Sequence, residues 1–263
     1  MKKFLVFLFV FNLVYSHDYW LHPKKFVLSK EDTLTIHLYV GDKLNIEIER
    51  EFQKDMTEKF EIITNDTIIN LLPRLQDKSL PVLSEKFELE GLALVAMDRG
   101  WAYIELSQKD FEEYIRHEGI ENIKISKSVK KKVERERYRR YIKSLIMFGD
   151  KVEGEIYKKV LNQRLEIILF KNPFSLKIGD EVEAQVLFEG KPLVNKTVML
   201  YSLVQGKVFE QNVKTDKNGV AKFKINNSGF HLIRLVHLRR CEKCSDADWE
   251  SFWASFSFEI PQR

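Results

Sequence analysis

The last hundred residues hold seven short segments of strand character with turn signals between them, and that spacing leaves few folds open. Leu165–Leu169, Glu181–Phe188, Thr197–Leu203, Val208–Val213, Val220–Ile225, Phe230–Leu238 and Trp253–Glu259 are rich in β-branched, aromatic and aliphatic residues. Gly190-Lys191-Pro192 and Asp216-Lys217-Asn218-Gly219 read as turns between them. Seven strands in about a hundred residues predict an immunoglobulin-like β-sandwich over residues 164–263.

The first part of the chain is also β-like. Thr33–Val40 alternates, with Leu34, Ile36, Leu38 and Val40 on one side and Thr33, Thr35, His37 and Tyr39 on the other, and Gly41-Asp42 ends it as a turn. Lys59–Thr64, Lys86–Leu89, Leu92–Met97 and Trp101–Leu106 extend the pattern into an N-terminal β domain over 17–106. The period then changes. Ser107-Gln108-Lys109-Asp110 resembles a capping box, with Phe111, Tyr114 and Ile115 at helical spacing and Gly119 as a stop. A longer helix is expected from about Ser128 to just before Gly149, with Val133, Tyr141, Ile142, Leu145 and Ile146 inward and a basic, solvated outer face. The expectation is a mainly β protein: two β-sandwich-like domains, the second immunoglobulin-like, joined by a helical segment and linker over 107–163.

Composition removes several classes. With 44% hydrophobic residues the chain has enough apolar surface to offset its conformational entropy, so disorder is excluded. Eleven glycines, six prolines and two cysteines are too few for a collagen-like or disulfide-scaffold protein. Beyond the N-terminus no apolar run approaches the roughly 20 residues of a spanning helix, so the protein is not expected to be membrane-spanning. A net charge of +4 does not indicate a general nucleic-acid binder. No phosphate loop, HExxH or GxSxG motif occurs, and the expectation is a protein that is not an enzyme.

Residues 1–16 read as a secretory signal: Lys2 and Lys3, an apolar stretch over Phe4–Val14, and Val14-Tyr15-Ser16 as a cleavage site. A periplasmic or secreted location follows. Cleavage after Ser16 would make His17 the N-terminus, where its α-amine and imidazole can chelate one metal ion together. Such a pair favours nickel, cobalt or copper, with copper intrinsically tightest. His17 reads equally as the first residue of a frayed end, although Tyr19, Trp20 and Leu21 follow at once and predict packing.

Five other histidines are present. His117 suits a helix C-terminus, and His37 lies on a polar strand face. His231 and His237 point to the same side of one strand but stand about 20 Å apart, so at most one of them joins His17. Cys241-Glu242-Lys243-Cys244 is a single CxxC, read first as a local disulfide in an oxidising compartment and second as a metal-ligand pair near His237. Asp246 and Asp248 in the same loop are potential oxygen ligands or acceptors for a ligating imidazole, or simply turn residues.

His17-Asp18-Tyr19-Trp20-Leu21 with Pro23 is similar to the opening of a periplasmic family, a domain of unknown function described as the periplasmic component of nickel/cobalt uptake transport. The similarity continues at Phe111-Glu112-Glu113-Tyr114-Ile115, Arg135-Glu136-Arg137-Tyr138, Asn172-Pro173, Gly190-Lys191-Pro192-Leu193, Thr215-Asp216, Val236-His237 and Ala247-Asp248-Trp249-Glu250-Ser251-Phe252-Trp253. His22, Cys241 and Cys244 depart from the pattern. The resemblance implies an exported protein that binds a divalent transition metal, nickel or cobalt above copper, and supplies it to a membrane metal permease. It implies His17 and His237 as metal ligands with Asp248 in support. Two other functions compete with it: a copper enzyme in which His17 and a second histidine brace the ion for oxidative chemistry, and a structural sandwich module without metal.

Overall fold

A computed structural model describes residues 17–121, 123 and 133–262. The proposed signal over 1–16 and the start of the expected long helix, 128–132, lie outside the described residues. In chain order the strands are β1 (Asp18–Pro23), β2 (Val27–Leu28), β3 (Leu34–Asp42), β4 (Asn45–Glu49), β5 (Thr57–Ile63), β6 (Ile68–Asn70), β7 (Leu83–Glu85) and β8 (Gly91–Ser107). Helix α1 (Gln108–His117) follows, then β9 (Val133–Phe148), β10 (Leu165–Leu169), β11 (Glu181–Phe188) and β12 (Lys191–Pro192). The chain ends with β13 (Thr197–Val204), β14 (Lys207–Lys214), β15 (Val220–Lys224), β16 (Gly229–Arg240) and β17 (Trp249–Ile260).

The protein is mainly β and sandwich-like. A nine-stranded sheet runs β14-β13-β16-β17-β9-β8-β5-β6, with β2 beside the end of β9. One four-stranded sheet holds β1, β3, β4 and β7, and the other holds β10, β11, β12 and β15. β10, β11 and β15 face β14, β13, β16 and β17, which is the strand partition of an immunoglobulin-like sandwich. β17 then pairs in parallel with β9, Trp253 opposite Arg140, and β9 pairs antiparallel with β8. The large sheet therefore draws strands from all three segments into which the sequence divides at 106 and 163.

Residues 133–148 are the main correction to the sequence reading: they form a strand, not a helix. Glu134 and Glu136 are buried while Val133 and Arg135 are exposed, a period of two. Tyr141–Phe148 are buried on both sides of the sheet centre, so no alternation shows there, and a continuous apolar run mimics a helix core. The helical part of the middle segment is thus α1, where Ser107 Oγ accepts from the Asp110 amide as the capping box predicts. Lys86–Leu89 is irregular, the nearby strand being β7 just before it. Leu92–Met97 and Trp101–Leu106 fuse into β8 across a bulge between Arg99 and Ala102.

One small sheet lies on each face of the large one. On the first face Ser255 and Ser257 donate from β17 to the carbonyls of Tyr19 and Leu21 on β1. On the other, Lys143 of β9 donates to Glu166 of β10 in a fully buried ion pair. The first face carries a second buried network. The Arg234 guanidinium on β16 is held by Asp18 of β1 and by Glu118 at the end of α1, and all three are nearly solvent-free. Burial pushes Asp18 up to about 7 even with Arg234 pulling the other way.

Removing one member of such a network leaves uncompensated buried charge. Arg234→Met is therefore expected to lower unfolding free energy by about 3–5 kcal/mol in urea denaturation near neutral pH. Adding Asp18→Asn and Glu118→Gln to that variant should restore much of the loss. No recovery in the triple variant would show that packing, not charge, is what Arg234 supplies.

Candidate functional site

Side chains two apart along a strand share a face. On β16, Arg234, Val236 and Leu238 face α1 and β1; on β17, Trp249, Ser251, Trp253 and Ser255 do so; on β9, Glu134, Glu136, Tyr138 and Arg140 do so. Phe111 and Tyr114 dock α1 on this face, Phe111 against Trp249 at 5.1 Å between ring centroids and Tyr114 stacked on Trp253 at 6.1 Å. Beside this packing lies a cavity of about 190 Å³. His17, Tyr19, Arg50, Tyr114, Glu136, Tyr138, Arg140 and Trp253 line it, with Val40, Ile48, Ile104 and Leu106 as apolar wall.

His17 is not a frayed end. Its carbonyl accepts from Arg140 Nη2 at 3.4 Å, and its side chain is 24% exposed. Its Nδ1 is buried, makes no hydrogen bond, and stands 3.4 Å from Glu47 Oε2 on β4. The Arg140 guanidinium in turn lies over Tyr19 at 4.0 Å, Tyr138 at 4.5 Å and Trp253 at 5.3 Å. Deeper in the wall, Glu136 Oε1 accepts from Tyr114 Oη and Ser251 Oγ, while its Oε2 has no partner. Burial pushes Glu136 up to about 7.

The three residues expected to form one metal site do not converge. His237 alternates with Val236 and Leu238, so it points to the opposite face, where its ring packs on Phe188 at 4.3 Å. Burial, then repulsion from Lys196 and Arg239, lowers its pKa to about 4. Asp248 closes the junction of β17 and β9: its carboxylate accepts from the Arg135 amide at 3.0 Å, its own amide donates to Arg135 O, and its carbonyl accepts from Cys241 N. Among the described residues, one trio of His, Cys, Asp or Glu has ligand atoms all within 4.8 Å: Cys241, Cys244 and Glu250. There the two sulfurs are joined in a disulfide, and Arg137 and Arg239 hold Glu250.

A family model described as "Domain of unknown function (DUF4198)" matches residues 14–239. The chain belongs to this family. Among curated proteins none matches the chain. The family's description names no activity, metal or transporter. Within this family member, four of the segments quoted above meet in the one cavity: His17 and Tyr19, Tyr114, Glu136 and Tyr138, and Trp253.

Sequence reasoning found His17 but missed Glu47, Arg50 and Arg140. Glu47 sits on the hairpin partner of β3, just beyond the Gly41-Asp42 turn, so its approach to His17 is a matter of tertiary register. Arg140 belongs to the basic run that reads, from sequence, as the solvated face of the expected helix. The available signal was the alternation of Glu134, Glu136, Tyr138 and Arg140 against Arg135, Arg137 and Arg139.

The elevated Glu136 makes stability depend on pH. The folded chain holds a proton up to about 7 that an unfolded glutamate loses near its ordinary 4.5, so this contribution to stability declines as pH rises through that interval. Glu136→Gln keeps an acceptor for Tyr114 and Ser251 and removes the decline. Relative to the unmodified protein it should gain on the order of 2 kcal/mol between about pH 5 and pH 8. Urea denaturation at the two pH values checks this, and parallel profiles for the two proteins would show that Glu136 ionises normally.

Proposed function

We propose that the chain is an exported, non-enzymatic metal-binding protein that captures nickel or cobalt and passes it to a membrane permease. The observation that carries this reading is the largely buried His17 imidazole, whose Nδ1 makes no hydrogen bond and has a Glu47 carboxylate oxygen 3.4 Å away. Processing after Ser16 would add the α-amine. Amine and Nδ1 of one histidine close a six-membered ring around a metal ion, and Glu47 is placed to add an oxygen donor. Two nitrogens and a carboxylate suit borderline divalent ions, so metal supply must help select nickel or cobalt over copper. The signal-like N-terminus supports a periplasmic or secreted site of action, and no helix among the described residues is long and apolar enough to cross a membrane.

His237 and Asp248 are left out of this ligand set, because one faces the other side of the sheet and the other is committed to the β9–β17 junction. The same geometry removes His237 as the second imidazole of a copper brace. Reversible capture needs only partial closure of the coordination sphere, and the exposed Glu47 leaves the ion reachable by a receiving ligand.

Isothermal titration with nickel(II) tests the reading. Protein beginning at His17 should bind at least about tenfold more tightly than protein carrying one extra residue before it. Glu47→Gln should weaken binding several-fold, and His237→Ala should leave it unchanged. Equal affinity of the native and extended termini would overturn the proposed chelate. Metal analysis of untagged protein purified from its own compartment identifies the ion carried.

A further inference from the structure

The structure places the His17 donor beside a cluster of guanidiniums that form no ion pair with a carboxylate among the described residues. Arg50 and Arg140 line the cavity, and Arg99 sits behind its Tyr19 wall with its guanidinium 5.5 Å from the ring. Arg99 is only 5% exposed, donates through Nη2 to Gln53, and leaves Nη1 unpartnered; Arg50 Nε and Arg140 Nε are likewise buried without partners. Burial, with repulsion from Arg140 and Arg50, lowers the Arg99 pKa to about 10.

Other arginines of this chain show how such charge is ordinarily balanced. In the larger cleft on the opposite face Arg137 and Arg239 hold Glu250 and Arg164 holds Glu189, while Arg240 at its edge lies over the Trp249 ring. Buried charge without a partner is costly. Among the described residues the cluster beside His17 meets aromatic faces, the Gln53 amide and the His17 carbonyl, all of them neutral, which leaves room for an anion.

We infer that this cavity takes a small metal-chelating hydroxycarboxylate or dicarboxylate, whose free carboxylate rests on Arg50 and Arg140 while its chelating end presents the metal to His17. This deepens the function proposed above and rests on it. The walls select an organic anion rather than a bare inorganic one: Val40, Ile48, Ile104 and Leu106 offer apolar surface, and Tyr19, Tyr138 and Trp253 complete the lining with aromatic rings. About 190 Å³ has room for roughly six water-sized groups, which suits a four-carbon acid better than a large siderophore-like chelator. Glu136 in the same wall does not oppose the anion, because burial keeps its acid form up to about 7. The anion also resolves a conflict of charge, since a bare divalent ion at His17 would otherwise face three guanidiniums.

The test is titration of the protein beginning at His17 with nickel(II) alone, L-malate alone, both together, and nickel(II) with inorganic phosphate. Malate should raise nickel affinity at least about tenfold, nickel should raise malate affinity by the same factor, and phosphate should do neither. Arg50→Gln should abolish the enhancement, read as the ratio of nickel affinities with and without malate in the same variant, so that a change in binding of nickel alone does not enter the result. If nickel binds and malate adds nothing, or phosphate enhances equally, the inference fails and the metal-capture reading stands. If nickel does not bind at all, with or without malate, both fail. The reciprocal measurement uses unmodified protein, so the result does not depend on any variant folding.

Discussion

One buried guanidinium sets the geometry of the candidate site. Arg234 reaches from β16 to Asp18 on β1 and Glu118 at the end of α1, so three elements distant in sequence meet on one cation. Desolvation makes such a network a modest source of net stability, but any arrangement that breaks it strands charge in the interior. It therefore acts as a position lock. β1 then divides its residues between neighbours: Asp18 and Trp20 turn toward β16 and β13, whereas Tyr19 turns toward Arg140 of β9 and Arg99 of β8. His17 stands one residue from the lock and is fixed by it.

The large sheet keeps two kinds of chemistry apart by strand periodicity. β9 sends Glu136, Tyr138 and Arg140 to the face covered by α1 and β1, and Arg137 and Arg139 to the other. β17 does the same, with Ser251 and Trp253 on the first face and Glu250 and Phe252 on the second. Matched salt bridges collect around Glu250 and Glu189 on the second face, near the Cys241–Cys244 disulfide. On the first face, beside the matched Arg234 network, Arg140 lies against Tyr19, Tyr138 and Trp253 with no carboxylate partner among the described residues. A single-residue slip between β9 and β17 would exchange these faces, and the double contact of Asp248 with the Arg135 backbone guards against it.

Much of the fold was legible because its strands carry their own period and turns. Leu165–Leu169 and Glu181–Phe188 match the sequence boundaries, and the Ser107 cap marks the start of α1. Tyr141–Phe148 misled because a strand buried on both faces loses its alternation, and the basic residues before it looked like a solvated helix face. The site was half legible. A histidine at a cleavage junction carries its chelating chemistry in the covalent structure, so His17 could be named from sequence. His237 could not be judged, since sequence parity gives which residues share a face but not which face another strand covers. Glu47 and Arg50 reach the site through the pairing of β4 with β3 and the lie of that sheet on β9, which no local pattern encodes.

Trp253 links the cavity to the rest of the face. One side of its ring stacks on Tyr114 of α1 and another approaches Arg140, while its Nε1 donates to Ser251 Oγ, which itself donates to Glu136. Arg234 also lies 5.4 Å from the same ring. The cation of the position lock and the cation of the cavity therefore share one aromatic side chain. An anion that drew Arg140 off these rings would loosen the wall and the seat of α1 together, whereas one that approached its free edge would leave the stack in place. The second geometry keeps the aromatic packing that holds the Arg140 guanidinium over Tyr19, Tyr138 and Trp253, so occupancy requires little rearrangement of the protein.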